Sequence, residues 1–61
     1  MIEIKNLPMN HDKYVIAVAV YCEREDIEPE IEWWYFGSFD NETKAYKVAL
    51  GVSRAQVFVR G

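Results

Sequence analysis

The stretch from residue 13 to 23 (KYVIAVAVYCE) constrains the fold most. It is dominated by valine, isoleucine and tyrosine and contains neither glycine nor proline, so it favours a long strand over a helix. On a strand, Ile16, Val18, Val20 and Cys22 would share one face, and Val15, Ala17, Ala19 and Tyr21 the other. Both faces are apolar, which is typical of a central strand covered on both sides.

One further strand is predicted before this segment and one after it. Residues 1–5 alternate between apolar and charged side chains, as in a half-buried strand, and residues 6–12 read as a loop. Residues 30–37 (EIEWWYFG) predict a third strand. A short connector, residues 24–29, precedes it, so we expect an antiparallel hairpin and a three-stranded meander.

The pattern changes after Gly37. Asp40 or Asn41 can cap a helix, Glu42 lies in its first turn, and Gly51 is expected to end it as a left-handed residue. Residues 55–60 return to a strand-like pattern. The predicted fold is therefore α+β, in the order βββαβ. The helix packs on one face of the sheet, and the crossover makes the last strand parallel to the third.

The chain length indicates one domain, residues 1–61, of marginal stability. For 7.2 kDa, area scaling predicts a folded surface of roughly 4,100 Å², about 40% of the unfolded surface. Cys22 is the only cysteine, so no disulfide can form within the chain, which fits a reducing compartment. The first residues do not resemble a signal peptide and no apolar run has transmembrane length, so we expect a cytoplasmic protein.

One short helix can cover only one face of a four-stranded sheet. We therefore expect the other face to be covered by a second copy in a homodimer, or by a different protein. The aromatic run 33–36 would place aromatic side chains on both faces of the sheet. Trp33 and Tyr35 would lie on one face, and Trp34 and Phe36 on the other. Three interpretations are open. The pair on the uncovered face could be a contact surface for another protein, or a platform on which nucleic-acid bases stack. Alternatively, one aromatic residue belongs to the core and a partly exposed tryptophan packs on a loop.

Acidic residues are concentrated in one segment. Residues 23–32 contain six acidic side chains and one basic one. This segment is a solvated loop that keeps the hairpin soluble, or a docking surface for a partner with a basic surface. It lacks the spacing and the turn glycine of a calcium loop, so we expect no metal site there.

The basic residues of the C-terminal half suggest an alternative function, nucleic-acid binding instead of protein binding. Lys44, Lys47, Arg54 and Arg60, together with an exposed tryptophan, could form a nucleic-acid-binding module, although the formal net charge of −3 argues against it.

The junction between the third strand and the helix adds a resemblance. Gly37-Ser38-Phe39-Asp40, followed by Ala45, resembles the strand-to-helix junction of plant ethylene-response-factor DNA-binding domains and is similar to that of sporulation-related peptidoglycan-binding repeats. The first of these resemblances implies three strands that read DNA. Here the central strand lacks the arginines of that family, and the sequence assigns no family.

The sequence contains no catalytic constellation. His11, the only histidine, lies in a polar loop, and Cys22 lies in a strand where a cysteine is usually a small buried apolar residue. The three glycines are far apart and form no phosphate loop. We therefore expect no enzyme and no cofactor.

These observations predict a small binding or regulatory protein. Its small size and its charge, rather than any motif, suggest an accessory factor of a phage or mobile element that inhibits or redirects a host protein. The predicted contact surface combines apolar anchors with an acidic rim. The anchors are Tyr21, Trp33, Trp34 and Tyr35, and the rim is Glu25, Asp26, Glu28 and Glu30.

Overall fold

The computed structural model describes residues 3–24 and 27–60, without the side chains of residues 23, 24 and 27–29. Within these ranges the chain forms a four-stranded mixed sheet and one helix, an α+β fold. The elements are β1 (Ile4–Lys5), β2 (Tyr14–Arg24), β3 (Ile27–Phe39), α1 (Glu42–Leu50) and β4 (Ala55–Val59). The predicted element order is confirmed, and β3 is longer at both ends than predicted.

The predicted meander is wrong, because the strand order is β1-β3-β2-β4. β1 lies parallel to β3 on its outer edge, with Ile4 opposite Trp33 and Lys5 opposite Trp34. Both edges of β2 are already taken, since β3 and β4 each pair with it in antiparallel fashion. β2 is therefore the internal strand that its two apolar faces indicated, and β4 runs parallel to β3 as expected.

Helix α1 begins and ends for local reasons. The Asn41 side chain caps it by accepting a hydrogen bond from the backbone N–H of Lys44 at 3.2 Å. Gly51 ends it, but with φ −87° rather than in the predicted left-handed conformation. The N–H groups of Gly51 and Val52 donate hydrogen bonds to the carbonyl oxygens three residues earlier, those of Val48 and Ala49. The last turn is therefore tighter than an α-helical turn and needs no left-handed residue. A left-handed residue follows later, at Arg54 with φ 61°, where the chain turns into β4.

The core lies on both faces of β2 at one end of the sheet. Ile4, Val15 and Ala17 are buried on what we call the loop face, with half-buried Leu7, Trp33, Tyr35 and Phe58 packed on them. Ile16 points the opposite way and is also completely buried. Helix α1, which contacts β2, β3 and β4 and buries Ala45, is the element that covers it. We call this side the helix face.

The face opposite the helix is covered in part by the chain itself, which the sequence did not predict. The loop between β1 and β2 places Leu7 against the core cluster. Near its end, the backbone N–H of Asp12 donates a hydrogen bond to Ser38 Oγ at 3.1 Å. A second copy is therefore not required over Val15 and Ala17.

Candidate protein-binding arm

Part of the β2–β3 hairpin extends beyond the rest of the sheet. β4 pairs with β2 no further than Val18, and β1 pairs with β3 only at Trp33 and Trp34, whereas β2 and β3 remain paired as far as Arg24 and Ile27. We call residues 20–24 and 27–32 the arm. Among the described residues, no other strand flanks it.

The shape of the molecule reflects the arm. The radius of gyration is 12.5 Å, against about 10.5 Å for a compact domain of this length. The principal extents are 41 × 25 × 16 Å. The accessible surface, 4855 Å², exceeds the roughly 4,100 Å² expected from area scaling. The arm thus exposes surface that a compact chain of this length would bury.

The loop face of the arm carries an exposed apolar pair. Tyr21 and Ile31 are cross-strand partners, and their exposed fractions are 55% and 61%. Tyr21 shares this face with Val15 and Ala17, but the β1–β2 loop packs only at the other end of the face. We call Tyr21 and Ile31 the arm patch.

Of the four predicted aromatic anchors, Tyr21, Trp33 and Tyr35 share the loop face and Trp34 does not. Trp33 and Tyr35 pack on the loop-face core, where the Trp33 ring meets Phe58 edge-on at 5.1 Å and the Tyr35 hydroxyl lies 3.2 Å from Ser38 Oγ. Trp34 lies on the opposite face. Phe36 leaves the alternation because β3 bulges there, between the pairs Ile16↔Gly37 and Ala17↔Tyr35, and it is exposed.

Trp34 belongs to a polar cluster centred on Glu32, on the helix face where the arm meets the body. Glu32 Oε1 accepts hydrogen bonds from Cys22 Sγ at 2.9 Å and from Trp34 Nε1 at 3.4 Å. Lys5 Nζ lies 2.6 Å from Glu32 Oε2 and 6.0 Å from the centre of the Trp34 ring. The indole N–H of half-buried Trp34 therefore has a hydrogen-bond partner.

The same contacts shift the ionisation of the pair. Hydrogen bonds from Cys22 and then Lys5 lower the pKa of Glu32 from 4.5 to about 2, against a smaller opposing effect of desolvation. The hydrogen bond to Glu32 raises the pKa of Lys5 above its ordinary value of 10.5. Glu32 is therefore ionised at neutral pH and ties β1 to β3.

The structure locates only part of the predicted acidic rim. Glu30 is exposed on the arm. Glu25 and Asp26 lie outside the described residues, and so does the side chain of Glu28. Sequence reasoning missed Ile31, Lys5 and Glu32, because their roles depend on the hairpin register and on the pairing of β1 with β3.

The predicted basic residues lie on α1 and at the two ends of β4. Lys44 and Lys47 are exposed on α1. Arg54 and Arg60 flank the two ends of β4, about 20 Å apart for an extended chain. The two arginines are therefore separated by the length of β4.

No group of three metal-ligating side chains is present in residues 3–24 and 27–60. In the same part of the chain, no helix has the length and apolar character needed to cross a membrane.

No protein-family model, no curated protein and no solved structure matches this chain.

Proposed function

We propose that this chain is a small non-catalytic binding protein that acts through the arm, and that the arm patch is the contact by which two copies associate. The observation that carries the proposal is the cross-strand pair Tyr21 and Ile31, each more than half exposed in a sheet region that neither helix nor loop covers. Aromatic and aliphatic side chains presented together on a strand pair are typical of protein interfaces.

The core is small, which supports the proposal that the chain gains stability by burying further apolar surface in an association. Only Ile4, Val15, Ile16, Ala17 and Ala45 are buried among the described residues. Small domains without disulfide or metal commonly obtain the remaining stabilisation from association. A two-fold contact would place the same patch on both partners, as in most homodimers.

Charge predicts how this association responds to salt. The arm is the acidic segment of the chain, so two arms repel each other at low ionic strength. The apolar contact itself is not weakened by salt. Self-association should therefore strengthen as salt rises, whereas binding to nucleic-acid phosphates would weaken steeply.

The test is sedimentation equilibrium over a concentration series, at low and high salt. We compare the wild type with Tyr21→Ser/Ile31→Ser and with the control Leu50→Ser, since Leu50 is an 88% exposed apolar residue on α1. We expect a dimer that the arm double variant weakens at least about tenfold and the control leaves unchanged. Circular dichroism verifies that both variants are folded.

Two results would contradict the proposal. One is a wild-type monomer at every concentration and salt. The other is a dimer that the Tyr21→Ser/Ile31→Ser variant weakens no more than Leu50→Ser does.

A further inference from the structure

The outer edge of β4 has open backbone positions. The strand order places β4 at one edge of the sheet and β1 at the other, three strand spacings or about 14 Å away. β4 pairs with β2 along its whole length, and no described residue pairs with it on the other side. An extended peptide can add to such an edge through main-chain hydrogen bonds.

The ladder between β2 and β4 shows which backbone groups of β4 point outward. The Arg60 N–H donates a hydrogen bond to the carbonyl oxygen of Lys13 at 2.7 Å, and the Ala19 N–H donates one to that of Arg54 at 2.9 Å. Hydrogen-bonded and non-hydrogen-bonded pairs alternate along antiparallel strands, so the even-numbered residues from 54 to 60 bond to β2. The groups that point outward belong to the odd-numbered residues, Ala55, Val57 and Val59.

β4 has none of the features that usually keep an exposed strand edge from pairing. Residues 55–59 (AQVFV) include no charged residue and no proline. The register between β2 and β4 runs without a shift, whereas the register between β2 and β3 shifts twice. The edge is therefore regular over five residues and can accept a further strand.

The side chains along this edge indicate the chemistry of the partner. Val57 lies opposite Ile16, so Val57 and Val59 share the helix face, and Val59 is 59% exposed. Residues 51–61 include two arginines and no acidic residue. Arg54 is exposed and forms no ion pair with any side chain that the structure describes. A strand beside β4 would meet apolar positions between two basic ends.

A second copy of β4 fits this edge less well than an acidic segment does. The register that uses all three outward-pointing residues pairs two copies antiparallel about Val57. That register brings Arg54 of each copy beside Arg60 of the other, and opposed like charges destabilise a strand pair. Acidic residues at those places replace the repulsion with attraction.

We propose that the outer edge of β4 binds an extended segment of another protein, antiparallel to β4, in which acidic residues flank alternating apolar and polar residues. Its apolar side chains lie beside Val57 and Val59 on the helix face. Its acidic side chains lie beside Arg54 and Arg60. This inference goes beyond the proposed function, because the edge of β4 and the arm patch are separate surfaces.

The test is a calorimetric titration of the full chain with capped seven-residue peptides. The probe is EVTVTVE, which places valines opposite the three outward-pointing residues and glutamates opposite the two arginines. Its controls are KVTVTVK and the block peptide EEVVVTT, which has the composition of the probe. We expect the probe to bind at least about tenfold more tightly than either control, because charge and alternation both contribute.

N-methylation tests the main-chain contact. In the antiparallel register, the N–H groups of the three probe valines point towards β4 and those of the two threonines point away. The probe methylated at the valine nitrogens should therefore bind at least about tenfold more weakly than the probe methylated at the threonine nitrogens.

Variants assign the site. Val59→Pro removes an outward N–H without removing a bond to β2, so the strand still forms. It should weaken probe binding at least about tenfold, whereas Val59→Thr keeps the N–H and should weaken it less. Circular dichroism verifies that both variants are folded.

Charge at the end of the edge has a smaller effect. Arg54→Gln should weaken probe binding about two- to fivefold at low salt, as expected for one exposed ion pair, and the difference should shrink at high salt. The matched control is Lys44→Gln, which removes an exposed positive charge on α1 and should leave the affinity unchanged.

The proposal is overturned if the probe does not bind or if the block peptide binds equally well. It is also overturned if the valine-methylated probe binds at least as tightly as the threonine-methylated one, or if Val59→Pro binds the probe as the wild type does. Tyr21→Ser/Ile31→Ser should leave the titration unchanged, so this proposal and the proposed function fail separately.

Discussion

The two ends of strand β2 lie in very different surroundings. At the body end, the consecutive residues Val15, Ile16 and Ala17 are completely buried, because α1 covers one face and the β1–β2 loop the other. At the arm end, Val20 and Tyr21 are 39% and 55% exposed. The composition of the strand hardly changes between these ends. Apolar sequence alone therefore does not determine burial, and the neighbouring elements decide which apolar residues stabilise the fold and which remain available for binding.

The largest expected effect is at Ile16. Ile16→Ala should lower the free energy of unfolding by about 2 to 5 kcal/mol, because the substitution leaves a cavity in a part of the core where both faces of the sheet are covered. That is comparable to the roughly 3 to 9 kcal/mol total stability of a domain this small. Val20→Ala, on the same strand and face, should lose at most about 1 kcal/mol. Urea unfolding followed by circular dichroism measures the free energy of unfolding of both variants. Equal decreases would contradict the conclusion that the body stabilises the fold more than the arm does.

A smaller effect is expected at the helix cap. Asn41→Ala removes the acceptor for the Lys44 N–H and should lose about 1 kcal/mol, because the first turn of the helix that covers Ile16 frays. Asp40→Ala, one residue earlier, is the matched control and should be close to neutral. Hydrogen exchange should show faster exchange in α1 and unchanged exchange in the arm. Loss of protection in the arm would mean that body and arm unfold as one unit.

The smallest effect is expected where the arm meets the body, and it depends on pH. The pKa of Glu32 is lowered from 4.5 to about 2 in the folded chain, so its ionised form stabilises the fold fully above about pH 4.5. This contribution declines as the pH falls and is lost at about pH 2. The urea midpoints of wild type and Glu32→Gln should therefore differ at pH 7 and converge near pH 2.

The control for this measurement is Glu30→Gln, an exposed carboxylate on the same strand and face that forms no ion pair with any side chain that the structure describes. It should follow the wild type throughout. A wild-type to Glu32→Gln difference that persists unchanged at pH 2 would mean that ionisation of Glu32 contributes nothing.

The sequence predicts much of the fold because its local signals are strong. The apolar faces of β2 indicate an internal strand, and Asn41 marks the start of α1. The position of β1 could not be predicted in this way. A two-residue strand is compatible with several edges, and only the pairs formed by Ile4 and Lys5 select β3.

The candidate site was less predictable than the fold. The chain was expected to form a six-residue connector, but β2 and β3 pair as far as Arg24 and Ile27, so Ile31 comes to lie opposite Tyr21. A bulge at Phe36 then shifts the alternation of the aromatic run. Register of this kind depends on backbone geometry at single residues, which composition and periodicity do not specify.

The central position of β2 also has a consequence for the order in which the chain folds. Its pairing with β3 is local, whereas its pairing with β4 joins residues far apart in sequence, such as Tyr14 and Val59. Non-local pairing forms slowly because the intervening chain must first be ordered. During synthesis the hairpin can form while the other edge of β2 waits for β4 to emerge from the ribosome. The most apolar strand of the chain therefore keeps an unpaired edge until β4 has emerged, and its pairing with β4 is the last of the three strand pairings to become possible.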